Sequence, residues 1–280
     1  MPHVESNAAK IYYEVRGTGG PPLVLLRGFA SPIETWNGVD HELAADHVTV
    51  VLDNRGTGRS TAPRGSYRVA SMADDVAAVL HHAGLDSSHV VGTSLGGMIA
   101  QELAIRHPQR VRSLVLVATT PGKRGGFPLR ARGVASLVLG TFMPRPIRMR
   151  LVRYATLSPD GRRARQAVDD VRPGAPAPPR TLFRGLIGQA SAIFAHDMTD
   201  RLDRIAVPTL VIHGGADNLI DYDHARQLAS LIPAARFEFW EQAGHDLATE
   251  APQRLAESVR RHVQAVIQNS ESEPRLHCSA

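Results

Sequence analysis

Apolar residues in the first 120 positions fall into short continuous runs separated by stretches of helical period. PLVLLRG (22–28), HVTVVLDNRG (47–56), SHVVGTS (88–94) and VRSLVLVATT (111–120) predict strands, and three of them are unbroken Val/Leu runs of the kind that parallel strands buried on both faces carry. AKIYYEVRG (9–17) alternates instead, as a half-exposed edge strand does. Between these runs, SMADDVAAVLHHAGL places Ala73, Val76, Ala77 and Leu80 on one helical face, with Ser71 as N-cap and Gly84 as stop. LGGMIAQELAIRHP predicts a second helix directly after Ser94, ending near Pro108 because proline disfavours helical backbone in the residue before it.

After Thr120 the pattern changes. Proline, glycine and arginine become frequent, RPGAPAPPR interrupts at 172–180, and strand signals return only with VPTLVIHGGAD (207–217) and ARFEFWEQAGH (235–245), ahead of a last amphipathic helix, APQRLAESVRRHVQAVI. Strands alternating with helices make the fold class α/β, with a mostly parallel sheet. Residues 1–120 and 205–268 are expected to form one core, 121–204 a mostly helical insertion between two of its strands, and 269–280 a disordered tail.

Composition narrows the class. With 43 % apolar and 21 % charged residues, the 280-residue chain has the make-up of a globular protein rather than a disordered or fibrous one. No window reaches the ~18 consecutive apolar residues of a membrane span. The start, MPHVESNAAK, lacks the layout of a signal peptide, so the expected location is the cytoplasm. Lys10 and Lys123 are the only lysines, and from Lys123 to Arg165 eleven basic residues face the single acid Asp160. Such a block suits a nucleic acid, a membrane surface, an anionic substrate or plain solvent. Since neither stacking aromatics nor a nucleic-acid motif accompany it, a solvated helical surface is the favoured reading. Cys278 stands alone and is assigned no role.

The chemistry begins with Gly92-Thr93-Ser94-Leu95-Gly96, a G-x-S-x-G where a strand hands over to a helix. A serine on so sharp a turn has a strained backbone and needs small neighbours at i−2 and i+2. Its hydroxyl needs a base, and His245 lies in a loop between the last predicted strand and the last helix. The imidazole needs a carboxylate to set its tautomer; Asp217 ends the strand VPTLVIHGG, and Asp53 is the alternative. The turn DNRGTGRS matches neither phosphate-binding spacing, and H-E-x-x-H and C-x-x-C are absent, so neither a nucleotide nor a metal is expected.

The order Ser94, Asp217, His245, together with LLRGFA, DNRGTGRS, GTSLGGMIAQ, HGGADNLI and AGHDLATE, resembles the α/β-hydrolase superfamily. The likeness is to its small serine esterases, lactonases and cofactor-free haloperoxidase-like enzymes. It implies an eight-stranded, mostly parallel sheet flanked by helices, a helical cap at 121–204, and no cofactor. It also implies an oxyanion hole made by the backbone N–H groups of Phe29 and Leu95, although Arg27 stands where the family has histidine. Relatives that cleave haloalkanes or epoxides carry aspartate at the elbow, and Ser94 argues against both. The implied partner is a small ester or lactone, bulky and apolar, such as a macrolide antibiotic; Phe127, Phe142, Phe183, Ile187 and Phe194 could line its pocket, and Arg148 or Arg153 would favour an anionic acyl group. No nucleic acid or membrane partner is implied, and the chain is expected to be a monomer or homodimer. Carbon–carbon bond hydrolases and perhydrolases share the triad, and a non-catalytic small-molecule receptor is the reading from another class.

Overall fold

The computed structural model describes residues 2–123, 129–141, 143–171, 181–233 and 235–272. Eight strands form one sheet: β1 (His3–Ser6), β2 (Ala9–Arg16), β3 (Pro22–Leu26), β4 (Val48–Leu52), β5 (Ser88–Thr93), β6 (Val111–Val117), β7 (Thr209–Gly214) and β8 (Ala235–Trp240). Their order is β1-β2-β4-β3-β5-β6-β7-β8, with β1/β2 and β2/β4 antiparallel and every other pair parallel. β3 and β5 bury nearly every residue, as their unbroken Val/Leu runs require when helices cover both faces. One face packs α2 (Val69–His82), α3 (Leu95–Arg106) and α8 (Tyr222–Leu231) over Val24, Val90, Leu114 and Val211. The other packs α1 (Val39–Leu43), α10 (Pro252–Ser272) and Trp36 over Leu25, Val91, Val115 and Ile212.

Three expectations change. β2 is not the edge strand: it lies between β1 and β4, and Ile11, Tyr12 and Tyr13 are buried. The edge is β1, four residues long, too short to show a period. α2 starts at Val69 with Arg68 as its N-cap, so Ser71 sits inside the helix. Val69 is only 5 % exposed, and its burial draws the first turn three residues earlier. α10 runs to Ser272, past the 268 boundary; Ile267 is its last residue packed against the core, and 268–272 continue the helix as an exposed final turn. Cys278, Phe127 and Phe142 lie outside the described residues.

Between β6 and β7 lie α4 (Ala131–Thr141), α5 (Arg145–Thr156), α6 (Pro159–Val171) and α7 (Phe183–Ala195). From the basic block, Arg130, Arg132, Arg150 and Arg163 are exposed. Arg130 pairs with Asp221 at 3.0 Å and Arg163 with Asp160 at 2.8 Å. No helix among the described residues is long and apolar enough to cross a membrane.

Three interior histidines make stability acid-sensitive. His89, His196 and His262 are each at most 5 % exposed, and burial, reinforced by Arg112 at His89 and Arg236 at His262, pushes each ring down to about 4. An unfolded histidine titrates near 6.5, so below that pH the unfolded chain binds protons that the native chain refuses. Stability is therefore complete above about pH 6.5 and falls towards pH 4, by up to ~4 kcal/mol per pH unit for three such sites. Urea midpoints at pH 7, 6 and 5 should fall in sequence, less steeply in His196→Gln. Identical midpoints would refute the assignment.

Candidate active site

Ser94 sits between β5 and α3 with φ 54° and ψ −118°, outside the regions an L-residue prefers. The surroundings enforce it. Its amide donates to the Val117 carbonyl at 2.9 Å, and its carbonyl accepts from Gly97 N at 2.9 Å and Thr119 Oγ1 at 2.7 Å. A Cβ on Gly92 would run into the Gly96 carbonyl, and one on Gly96 into the Leu26 carbonyl. Gly97 has the Thr119 side chain 2.6 Å from where its Cβ would lie. Gly96→Ala should accordingly lose at least ~1–3 kcal/mol to overpacking against rigid backbone, read as a lower denaturant midpoint, together with most activity. A variant as stable and active as the parent would show that the elbow is not so confined.

The chain after β3 passes directly beside the serine. A Cβ on Gly28 would sit 3.1 Å from Ser94 Cβ and 3.6 Å from its Oγ, so any side chain here would press on the serine and push it by a few tenths of an ångström. Phe29 follows, half-buried. Leu95 is the first residue of α3 and fully buried; its amide, like those of any first helical turn, has no acceptor within the helix. Ala30, at φ 54°, donates its amide to Gln189 Oε1 at 2.8 Å. Gln189, fully buried on α7, also donates to the Arg55 carbonyl at 2.8 Å and to Thr57 Oγ1 at 2.6 Å. A helix of the insertion thereby holds the loop that carries Phe29.

Asp217 and His245 come together from the loops after β7 and β8. Asp217 Oδ2 lies 2.8 Å from His245 Nδ1, and Oδ1 accepts the amides of Leu219 at 2.7 Å and Ile220 at 2.9 Å. Asp217 is 1 % exposed and the His245 side chain 9 %. Burial alone would push the Asp217 carboxyl up, but His245, His213 and the Ile220 amide hold it below the usual carboxylate range. Burial likewise pulls His245 down; Asp217 by charge and hydrogen bond, with Asp246, outweighs that and Arg27's opposing charge, and the imidazole ends above its ordinary value. With Nδ1 donating to Asp217, the lone pair is on Nε2, where a base needs it. His213 lies behind the pair, its Nε2 3.8 Å from Asp217 Oδ2, and burial keeps it neutral.

Asp53, the alternative carboxylate, is occupied elsewhere. Oδ1 accepts Ile33 N at 2.8 Å, while Oδ2 accepts Arg59 N at 2.9 Å and Nε at 3.1 Å, so it ties the DNRGTGRS turn to the loop after β3. Sequence reasoning missed Glu250. Its Oε1 accepts Ser158 N at 2.8 Å and Gly244 N at 3.0 Å, and Oε2 accepts Ser158 Oγ at 2.5 Å, joining the loop before His245 to the α5–α6 junction. Asp246 N donates to the Thr156 carbonyl at 2.8 Å and Asn218 Nδ2 to the Tyr154 carbonyl at 3.0 Å, so both loops are bonded to that junction. Among the described residues no three His, Cys, Asp or Glu side chains gather closely enough to hold a metal ion.

A sequence profile of the alpha/beta hydrolase fold matches residues 21–252. Putative carbamate hydrolase RutD of Azorhizobium caulinodans is 30 % identical over 252 residues, covering 90 % of this chain and 94 % of that one. The pimeloyl-(acyl-carrier protein) methyl ester esterase of Aeromonas salmonicida is 30 % identical over 248 residues, 86 % and 94 % of the two chains. Among solved structures, Est816, described as an N-acyl homoserine lactone degrading enzyme, has a TM-score of 0.77 at 30 % identity, covering 93 % of this chain and 99 % of that one. The esterase RhEst1 from Rhodococcus sp. has a TM-score of 0.76 at 27 % identity, covering 94 % and 98 %. Because the profile runs through the Gly28 loop, the serine elbow and the loops of Asp217 and His245, the chain belongs to the α/β-hydrolase fold family and is a hydrolase.

Proposed function

We propose that the protein hydrolyses carboxylic esters or lactones through an acyl-enzyme on Ser94. The observation that carries this reading is the buried 2.8 Å bond between His245 Nδ1 and Asp217 Oδ2, which leaves Nε2 free to act as base, at the same C-terminal end of the parallel strands as the strained serine. His245 takes the Ser94 proton as Oγ attacks the carbonyl carbon, and the Phe29 and Leu95 amides receive the developing oxyanion, each worth about 10²–10³-fold in rate. The C–O bond to the leaving group breaks as His245 returns the proton to that oxygen, releasing the alcohol or opening the lactone. Water, deprotonated by the same nitrogen, then attacks the acyl carbon; the bond from that carbon to Oγ breaks, the carboxylic acid leaves, and His245 returns the proton to Ser94.

Helices α4–α7 are the cap in this reading and carry substrate choice. Val138, Leu139, Phe183, Ile187 and Phe194 offer exposed apolar surface that a bulky acyl chain or a macrolactone would cover. Arg153 Nη1 donates to Gln166 Oε1 at 3.2 Å. The esterase and lactone-degrading relatives support ester and lactone chemistry. The test is intact-protein mass after fluorophosphonate treatment, with turnover of aryl esters, N-acyl homoserine lactones and macrolactones. One adduct and ester or lactone turnover are expected; a folded protein with neither overturns the assignment.

A further inference from the structure

Arg27 is only 5 % exposed, and a guanidinium so deep in the protein is costly unless its donors are met. Nε donates to Thr35 Oγ1 at 2.9 Å, while Nη1 and Nη2 both donate to Asp246 Oδ1, at 3.3 and 3.2 Å. Its central carbon stands 5.1 Å from the centroid of the buried Trp36 ring. Asp246 uses its other oxygen to accept Thr249 Oγ1 at 2.7 Å. Arg27 immediately precedes Gly28, which abuts Ser94, and Asp246 immediately follows His245. One ion pair therefore joins the loop beside the nucleophile to the loop of the base.

We propose that Arg27 and Asp246 are paired positioning residues, an ion pair between a buried guanidinium and a partly exposed carboxylate that fixes the Phe29 loop against the His245 loop and sets two opposed charges beside the imidazole. The inference rests on His245 being the base. A neutral hydrogen bond would supply the mechanical tie alone; an ion pair adds two charges that act on the ring in opposite directions. Taken singly, Asp246 strengthens proton binding at His245 and Arg27 weakens it. Also charged or titratable around this loop, among the described residues, are Asp217 on Nδ1, His213 behind it, and Glu250 on the Gly244 amide.

The experiment compares the parent with Arg27→Met, Asp246→Asn and the double variant. The His245 ring is followed by NMR, its resonance identified by its loss in His245→Gln, and kcat/KM for an aryl ester is measured against pH. Arg27→Met leaves Asp246 unopposed, so His245 should titrate at higher pH; the acid limb of kcat/KM, which requires the neutral ring, should move up with it. Asp246→Asn leaves Arg27 unopposed and should move both down. The double variant should return them towards the parent while kcat stays lower by about tenfold or more at nearly unchanged KM, because the loops are no longer tied.

A merely structural pair would lower the melting temperature and the rate without displacing the titration in opposite directions. That outcome, or displacement the same way in both single variants, overturns the proposal. Should Arg27→Met fail to fold, Asp246→Asn, which keeps an acceptor for the guanidinium, and the neutral double variant carry the test. Opposite NMR shifts with no acid limb that follows them would uphold the pair and refute His245 as base. A limb that follows His245 in the parent, with no shift in the variants, would uphold the base and refute the pair.

Discussion

Ser94→Ala is expected to fold normally, take up no fluorophosphonate and hydrolyse aryl esters about 10⁶-fold more slowly, the scale of loss when a nucleophile of this kind is removed. The fold should survive because alanine is smaller than serine and the bonds that fix this turn are made by backbone: the amide to Val117, and the carbonyl to Gly97 and Thr119. His245→Gln should fall by a similar factor, not by a further one in the double variant, since the two residues act in one step. Asp217→Asn should cost about 10⁴-fold, because an amide at Oδ2 favours the tautomer that places the proton on the wrong ring nitrogen. Steady-state rates beside the mass of the labelled protein decide it. Persisting turnover or an adduct in Ser94→Ala would place the nucleophile elsewhere.

The largest stability effect should come from Arg55→Ala. Arg55 and Asp75 are 5 % and 2 % exposed and meet through two parallel bonds, Nε to Oδ2 and Nη2 to Oδ1, each 2.6 Å. Burial pushes the Asp75 carboxyl up, and Arg55 is the main charge that restrains it. Removing the guanidinium strands a carboxylate under α2 and should cost about 3–5 kcal/mol, against the ~5–15 kcal/mol that holds a typical protein of this kind folded. Arg55→Met with Asp75→Leu removes both charges and should regain most of it. Chemical denaturation measures both. A single variant as stable as the parent would mean that water reaches the pair and the burial is only apparent.

How much of this could be read in the sequence depends on how far apart the partners are. The elbow was legible because its constraints are local: Gly92, Ser94 and Gly96 must share one turn, and the strand and helix on either side announce themselves in hydrophobic period. Asp217 and His245 were legible because each follows a strong strand run. The bonds between the insertion and the site were not. Gln189 meets Ala30 across 159 positions, Glu250 meets Ser158 across 92, and Arg27 meets Asp246 across 219, and none of these polar residues leaves a periodic trace. Ser71 failed as a cap for a related reason. Burial of Val69 decided where α2 begins, and burial is a property of the folded chain.

The bonds from Gln189 and Glu250 also bear on protein engineering. Exchanging the segment between β6 and β7 for that of another hydrolase, to import its selectivity, would remove the acceptor of the Ala30 amide along with the serine that Glu250 grips. The graft would then shift the loops of Phe29 and His245 as well as the pocket. On the proposed mechanism, selectivity and rate are thus not independently tradable in this scaffold unless donor segments are first filtered for a glutamine at position 189 and a serine at 158.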